Sequence, residues 1–206
     1  MESIYLRRGF TLIELLVVLA IIMIVTTVVI TSQSTFNKTL VLANTAYDVA
    51  LTIRSTQTYG LSSRAFGIIA NTGYGLHFER GVSESFILFA DISPSAECDK
   101  PDCKRGDYVY TPSADERVQM YTLGNSMIVS DFCAYSSPNW ICNSSGLSSL
   151  DIVFSRPNPD PFIRKNGQIS QEASAACLTI ASPQGGEKYI SVAISGQINA
   201  NASSCP

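Results

Sequence analysis

The sequence predicts an α+β protein in which one long N-terminal helix lies on an antiparallel β-sheet. An apolar run with no charged residue between Glu14 and Lys38 is followed by apolar residues at helical spacing. Neither proline nor glycine occurs between Phe10 and Tyr59, so nothing in that range interrupts a helix. From about Leu61 onward, apolar and polar residues alternate with the period of two that is typical of strands.

The first half of this helix is long enough to cross a membrane. The apolar stretch runs from residue 10 to residue 30, and near its end it is interrupted only by Thr26 and Thr27. At about 1.5 Å of rise per residue, its 21 residues match a hydrocarbon core of roughly 30 Å. Arg7 and Arg8 come directly before the run. We therefore expect a single-pass protein with its short N-terminus in the cytoplasm.

Glu14 is the anomaly in the apolar run. A carboxylate near the start of a membrane span costs a few kcal/mol unless it has a partner. If the chain were cut between Gly9 and Phe10, a new α-amine would lie one helical turn before Glu14, and the two charges could neutralise each other. A plain membrane anchor leaves Glu14 unexplained. An ordinary secretory signal has an apolar region of only about 7–15 residues, which is shorter than this one.

The segment from Arg8 to Leu15, Arg-Gly-Phe-Thr-Leu-Ile-Glu-Leu, resembles the class III signal of type IV prepilins and type II secretion pseudopilins. The resemblance implies that a membrane prepilin peptidase removes residues 1–9 and methylates the new N-terminal Phe10. It also implies that Glu14 pairs with the N-terminus of an adjacent subunit during assembly. The fold it implies is type IV pilin-like, with the second half of the helix packed on a globular sheet.

These patterns divide the chain into a leader (residues 1–9), a helix (residues 10–60) and an extracytoplasmic β-rich domain (residues 61–206). Gly60 is expected to cap the helix C-terminus. The second half of the helix is amphipathic, and its apolar stripe is expected to cover the core of the attached domain. The stripe comprises Phe36, Leu40, Ala43, Tyr47, Ala50 and Leu51.

Nine strands are predicted beyond the helix from the period-two patterns and the turn residues between them. Their bounds are 65–70, 75–79, 85–91, 107–111, 117–123, 126–131, 150–155, 177–181 and 189–194. Residues 98–106 are expected to form a charged loop closed by a disulfide. Residues 139–149 are expected to form a second loop, rich in Asn and Ser.

The six cysteines all lie beyond the predicted span, on the extracytoplasmic side. They are Cys98, Cys103, Cys133, Cys142, Cys177 and Cys205. An even number in an oxidising compartment predicts disulfides, although the sequence does not fix their pairing. Proximity favours Cys98 with Cys103 and Cys133 with Cys142, which leaves Cys177 for Cys205. The chain has no Cys-x-x-Cys pair and its single histidine is remote in sequence, so we expect no zinc, and no cofactor is expected either.

The closing segments resemble the last strands of the FimT-like minor pilins and H-type minor pseudopilins. These segments are residues 150–157, 177–180 and 190–198. Such domains often end in a hydrophobic strand, a Ser-Gly or Thr-Gly turn and a basic residue. Ser195 and Gly196 match that turn, whereas Gln197 stands where the basic residue is expected.

No sequence motif points to catalysis. The serines lack a Gly-x-Ser-x-Gly elbow, no glycine-rich phosphate loop precedes a helix, and no His-Glu-x-x-His occurs. His77 lies in a predicted strand, where we expect it to be exposed or hydrogen-bonded rather than a base. Asp99, Asp102 and Asp107 could offer oxygens to Ca²⁺ but lack the spacing of a known site. We therefore expect no enzyme.

The formal net charge of −3 weighs against nucleic acid as the main partner. The basic pairs Lys104-Arg105 and Arg164-Lys165 have no interleaved aromatic residues, so we expect both on an ordinary polar surface. DNA uptake is kept as an alternative role.

The expected function is that of a structural assembly subunit. The resemblance implies a precursor held in the lipid bilayer of the inner membrane, and partners that include prepilin peptidase, other pilin or pseudopilin subunits and an inner-membrane assembly platform. Assembly through residues 10–35 would place the chain in a pilus at the cell surface or in a periplasmic pseudopilus. Two alternatives remain: a minor pseudopilin of a type II secretion system, and a membrane-tethered binding domain that never polymerises.

Overall fold

The structure is a computed structural model that describes residues 9–62, 64–67, 72–93 and 106–205, with only the backbone for residues 31–37. It divides into two compact units, Met1–Leu40 and Val41–Pro206. Several of the predictions above fall outside the described residues. They concern leader residues 1–8 with Arg7 and Arg8, the pair Cys98 and Cys103, Asp99 and Asp102, and the basic pair Lys104-Arg105.

One helix, α1, runs from Leu12 to Leu61, close to the predicted range. Within the first unit its apolar residues are exposed, for example Leu12 and Met23. Within the second unit one face is buried, and this face carries Leu42, Ala46, Val49, Ala50 and Ile53. The helix therefore combines an apolar segment that its own chain leaves uncovered with a segment that packs into a core.

The described part of the second unit contains eleven strands. They are β1 (Gly73–Glu79), β2 (Ser85–Asp91), β3 (Arg117–Thr122), β4 (Ile128–Ser136), β5 (Asn139–Cys142), β6 (Ser149–Phe154), β7 (Pro161–Lys165), β8 (Gln168–Ala173), β9 (Ala175–Ala181), β10 (Glu187–Ala193) and β11 (Ile198–Ala202). Among the described residues they form a six-stranded sheet in the order β3-β2-β1-β6-β7-β8 and a five-stranded sheet in the order β11-β10-β9-β4-β5. The paired strands are antiparallel, which confirms the predicted α+β class.

A single large hydrophobic cluster joins the buried face of α1 to both sheets. Ile53 from the helix, Leu76 and Ile152 from the first sheet, and Leu178 and Ile190 from the second sheet are all fully buried members of it. The alternation of apolar and polar residues in these strands thus places one side of each sheet in a common core.

The prediction of which helix residues cover the core was largely wrong. Leu40, Tyr47 and Leu51 are 44, 47 and 54% exposed, whereas Ala50 is buried. Phe36 lies among the residues described by backbone only. The prediction failed because the second half of α1 carries apolar residues on two faces. The face with the small residues Ala46 and Ala50 packs inward, and helical spacing alone does not distinguish the two faces.

Seven of the nine predicted strands have observed counterparts, and the errors follow a pattern. The predicted strand 107–111 is wrong, because these residues form a loop whose N–H groups bond to carboxylates rather than to a neighbouring strand. Only an isolated bridge at Phe66 appears in the described part of the predicted strand 65–70. The loop predicted at 139–149 contains β5 and part of β6.

Four strands were missed: β5, β7, β8 and β11. The sequences of β7, β8 and β11 explain why these three were missed. β7 begins at Pro161, while β8 (Gln-Ile-Ser-Gln-Glu-Ala) and β11 (Ile-Asn-Ala-Asn-Ala) are rich in residues with low strand propensity. These strands form because they pair with neighbouring strands, and residue propensities alone do not predict such pairing.

Gly60 is not a C-cap residue. It lies inside α1, and a Cβ atom at this position would overlap the backbone carbonyl of Phe154 on β6. The glycine is therefore required by the close approach of helix and sheet, rather than by a left-handed backbone at the helix end.

We predict that Gly60→Ala lowers the free energy of unfolding by roughly 1–3 kcal/mol, because the added methyl group must push the helix off β6. The direction of the change in unfolding free energy is diagnostic, because at an ordinary position inside a helix alanine is more stable than glycine by about 1 kcal/mol. Chemical denaturation of the full chain in detergent measures the change. Gly124→Ala is the matched control, because a Cβ atom there meets nothing within 4 Å. An unchanged or raised stability of Gly60→Ala would show that helix and sheet are not packed this closely.

Candidate functional site

The first candidate site is the start of α1. Gly9, Phe10 and Thr11 are not helical, and the helix begins at Leu12. Phe10 is 84% exposed, and a Cβ atom on Gly9 would meet no heavy atom of the described residues within 4 Å. The peptide bond between Gly9 and Phe10 therefore lies in an open, non-helical segment that a protease could reach.

Thr11 and Glu14 form a reciprocal capping box at this helix start. The backbone N–H and the hydroxyl of Thr11 donate to Glu14 Oε2 over 3.0 and 2.9 Å. In return, the Glu14 N–H donates to Thr11 Oγ1 over 3.3 Å. The carboxylate thus satisfies donors that the first helical turn leaves free, and it is itself hydrogen-bonded within its own chain.

The sequence argument missed Thr11, although the signal was present. A Thr followed three residues later by Glu, directly before an apolar run, is the sequence signature of a capping box. The capping box accounts for Glu14 in a lone helix without any cleavage. The need of Glu14 for a hydrogen-bond partner is therefore not by itself evidence of proteolytic processing.

The segment that follows has the properties of a membrane span. Leu12–Ile30 has a mean hydropathy of 3.0, and none of it is buried within the protein. Its two internal threonines bond back to the helix, with Thr26 Oγ1 donating to the Ile22 carbonyl and Thr27 Oγ1 to the Met23 carbonyl, each over 2.7 Å. Their hydroxyls are therefore satisfied without water. This helix is consistent with anchoring of the chain in a membrane.

A family model described as the prokaryotic N-terminal methylation motif matches residues 5–30. The match covers the capping box and the apolar segment, and it supports a type IV prepilin-like protein. No curated protein and no solved structure matches the chain.

Two disulfides lie together in the second unit. Cys133 is bonded to Cys142 and Cys177 to Cys205, with Cα atoms 3.9 and 5.8 Å apart, which confirms two of the three predicted pairs. Cys133 on β4 lies opposite Cys142 on β5 and opposite Cys177 on β9, and Trp140 packs on the group. The second bond ties the C-terminal end of the chain to β9.

Asp131 lies beside Cys133 and Cys142, at a distance that a shared metal ion would require. Both sulfurs are joined in a disulfide, so the trio offers only one carboxylate as a ligand. That carboxylate accepts hydrogen bonds from the hydroxyl and the N–H of Ser144. It therefore stabilises the turn that follows β5.

The second candidate site is an acid-pinned strap, which we define as residues 106–116. Asp91 accepts the N–H groups of Asp107 and Tyr108 over 2.9 and 3.1 Å. Glu116 accepts the N–H groups of Thr111 and Ser93 over 2.7 and 2.8 Å. Buried carboxylates thus take the place of a neighbouring strand in pairing the backbone of the strap.

A buried pair beneath the strap completes this network. His77 Nδ1 and Asp151 Oδ1 are 2.6 Å apart, and Asp151 also accepts the Tyr110 N–H over 3.4 Å. The ring of Tyr110 covers His77 at 4.8 Å between centroids. The expectation of a hydrogen-bonded strand histidine is confirmed. Asp107, one of the three acids that could offer an oxygen to Ca²⁺, accepts the Val109 N–H within the strap.

Burial raises the pKa of Asp91 to about 7, and the neighbouring charges of Asp107 and Glu116 add to the shift, while the two N–H groups oppose it. Burial likewise raises the pKa of Asp107 and of Asp151, with the bond from His77 opposing the shift for Asp151. Several acids therefore crowd one dry region, which makes the strap sensitive to proton binding.

The basic pair Arg164-Lys165 does not lie on a polar surface as predicted. Both residues are only 8% exposed. The Arg164 guanidinium lies over the rings of Tyr108 and Phe162, and Lys165 Nζ donates to Ser136 Oγ over 2.6 Å. Because their charges are held inside the fold, these residues offer little to a nucleic-acid backbone.

We predict that Asp91→Asn alters how stability depends on pH. The folded-state pKa of Asp91, about 7, lies above the ordinary value of 3.8. Folding is therefore favoured by proton binding at low pH, and this contribution is lost as the pH rises to about 7. Relative to Asp91→Asn, the wild type should lose up to about 4 kcal/mol of unfolding free energy across this range.

Denaturation of both proteins at several pH values measures the difference. Asp115→Asn, an exposed substitution on the same strap, is the control and should track the wild type. A stability difference between wild type and Asp91→Asn that stays constant with pH would contradict the raised pKa.

Proposed function

We propose that this chain is a structural subunit, a minor pilin or pseudopilin, of a type IV pilus-like filament. The observation that carries the proposal is the methylation motif at residues 5–30. In this proposal prepilin peptidase removes residues 1–9 and methylates Phe10. The mature chain then assembles through residues 10–35 and has no catalytic role of its own.

The surroundings of Gly9 suit cleavage at this site. Among the described residues, no heavy atom lies within 4 Å of a Cβ atom built on Gly9, and Phe10 is 84% exposed. A peptidase could therefore reach the Gly9–Phe10 bond.

The geometry of Glu14 suits a second partner. Both hydrogen bonds from Thr11 fall on Oε2, and Oε1 has no partner among the described residues. Cleavage would create an α-amine at Phe10, on the same chain or on a neighbour, that Oε1 could accept. Because an unpaired charge in an apolar environment is costly, a subunit would dock most favourably where amine and carboxylate meet. The capping box and the assembly contact are therefore compatible.

The proposed partners and location follow from this role. The precursor would lie in the inner membrane with a cytoplasmic N-terminus, in contact with prepilin peptidase, an assembly platform and other pilin or pseudopilin subunits. After assembly it would belong to a surface pilus or a periplasmic pseudopilus. Strand β10 and the turn at residues 194–197 support a place among the FimT-like and H-type minor subunits. The strand β11, which follows that turn, departs from their pattern.

A membrane-tethered domain that never polymerises is the second candidate. The capping box favours it, because Glu14 is satisfied in a single chain. Fractionation separates the candidates, since a tethered domain would stay with the membrane and never appear in sheared filaments.

We predict that Glu14→Ala and Glu14→Gln leave membrane insertion and cleavage intact but reduce incorporation into filaments by about tenfold or more, as expected for the loss of one charge-assisted contact. Glutamine keeps a capping acceptor and lacks the charge, so it separates the two roles of the side chain. Quantitative immunoblots of sheared filaments and membranes measure incorporation.

Thr26→Val, a similarly sized change in the same helix, is the control and should incorporate normally. Normal incorporation of Glu14→Gln would refute a role for the charge and would leave helix capping as the only function of the residue.

A further inference from the structure

The second unit contains a cavity of about 280 Å³ beside the acid-pinned strap. One part of its wall is apolar and includes Tyr108, Phe162 and Ile194. The other part is polar and includes Asn158, Asp160 and Glu172. The proposed assembly assigns no role to these residues, and the cavity is therefore a candidate for a separate binding function.

The apolar wall is held in place before any ligand arrives. Tyr108 stacks on Phe162 with ring centroids 3.8 Å apart and an interplanar angle of 17°. Tyr108 has a φ of +64°, a conformation that costs a bulky residue on the order of 1–3 kcal/mol. The hydrogen bond from its N–H to Asp91 and the stack on Phe162 keep it there. A strained residue fixed at a cavity wall is a recurrent feature of ligand sites.

The polar wall is also anchored, in this case to the helix. Gln57 Nε2 on α1 donates to the carbonyls of Pro159 and Gly196, each over 3.1 Å. These two bonds hold the loop that carries Asn158 and Asp160 against the turn after Ile194. Both sides of the cavity are thus pre-organised, which lowers the entropic cost of binding.

The polar groups indicate what kind of ligand would fit. Asp160 and Glu172 offer acceptors, and Asn158 offers both donors and an acceptor. Glu172 lies 3.4 Å from Arg164 Nη1, and Arg156 also lines the cavity, so basic groups accompany the acidic ones. A charged ligand would therefore gain little binding free energy from electrostatic attraction. A ligand with many hydroxyl groups would bond to the donors and to the acceptors at the same time.

We propose that this cavity binds a single pyranose ring of a neutral carbohydrate. The C–H face of a sugar ring packs against an aromatic and aliphatic wall, and its hydroxyls bond to carboxylate and amide groups. The volume is just below the roughly 300–1,000 Å³ typical of sites for drug-sized ligands, which suits one ring. None of the residues that line the cavity belongs to the segment 10–35 through which assembly is proposed.

The test is NMR titration of the full chain in a detergent without a sugar headgroup. The probes are the methyl pyranosides of glucose, galactose, mannose and N-acetylglucosamine, with the acyclic polyol sorbitol for comparison. We expect at least one pyranoside to give saturable shifts at the residues that line the cavity. Asp160→Asn should weaken that binding about tenfold, as expected for the loss of a charged acceptor.

Asp48→Asn, the same change on the exposed face of α1, is the matched control and should bind like the wild type. Three results would overturn the proposal: no saturable shift with any pyranoside, an equal response to sorbitol, or unchanged binding by Asp160→Asn. Because Asp160 is exposed, its substitution is expected to test binding without unfolding the protein.

Discussion

A carboxylate at the start of a long apolar helix must have donors, and this constraint shapes the first unit of the chain. Thr11 supplies two donors to Glu14 and receives a third bond in return, so one carboxylate oxygen and the Glu14 N–H are satisfied within the chain. Both Thr11 bonds fall on one carboxylate oxygen. The other oxygen is the basis for the proposed contact with an N-terminal amine, which would link a local feature of helix capping to assembly.

The same physical requirement recurs in the second unit with a different outcome. There, Asp91, Glu116 and Asp151 accept backbone N–H groups of the acid-pinned strap, which would otherwise be buried without partners. The strap consequently lies over the sheet as a loop and fixes Tyr108 at the cavity wall. Burial of several acids together is the physical cause of the raised pKa of Asp91.

Sequence reasoning recovered what depends on local pattern and missed what depends on tertiary contact. It predicted the helix, seven strands and the disulfides Cys133–Cys142 and Cys177–Cys205, because periodicity and proximity specify them. It misassigned Gly60, whose need for a small side chain comes from β6. It also chose the wrong face of α1, because two apolar faces share one helical period. At the N-terminal site it singled out Gly9, Phe10 and Glu14, whose roles in processing and assembly stay predictions, and it overlooked the cap from Thr11.

In the proposed function the working form of the chain begins at Phe10, which intact-mass and N-terminal analysis of the native protein would show. The expected result is a chain that lacks residues 1–9 and carries one methyl group on the Phe10 amine. A native protein that retains Met1 to Gly9 would contradict it. In that case Glu14 would serve only to cap the helix of an ordinary membrane-anchored domain.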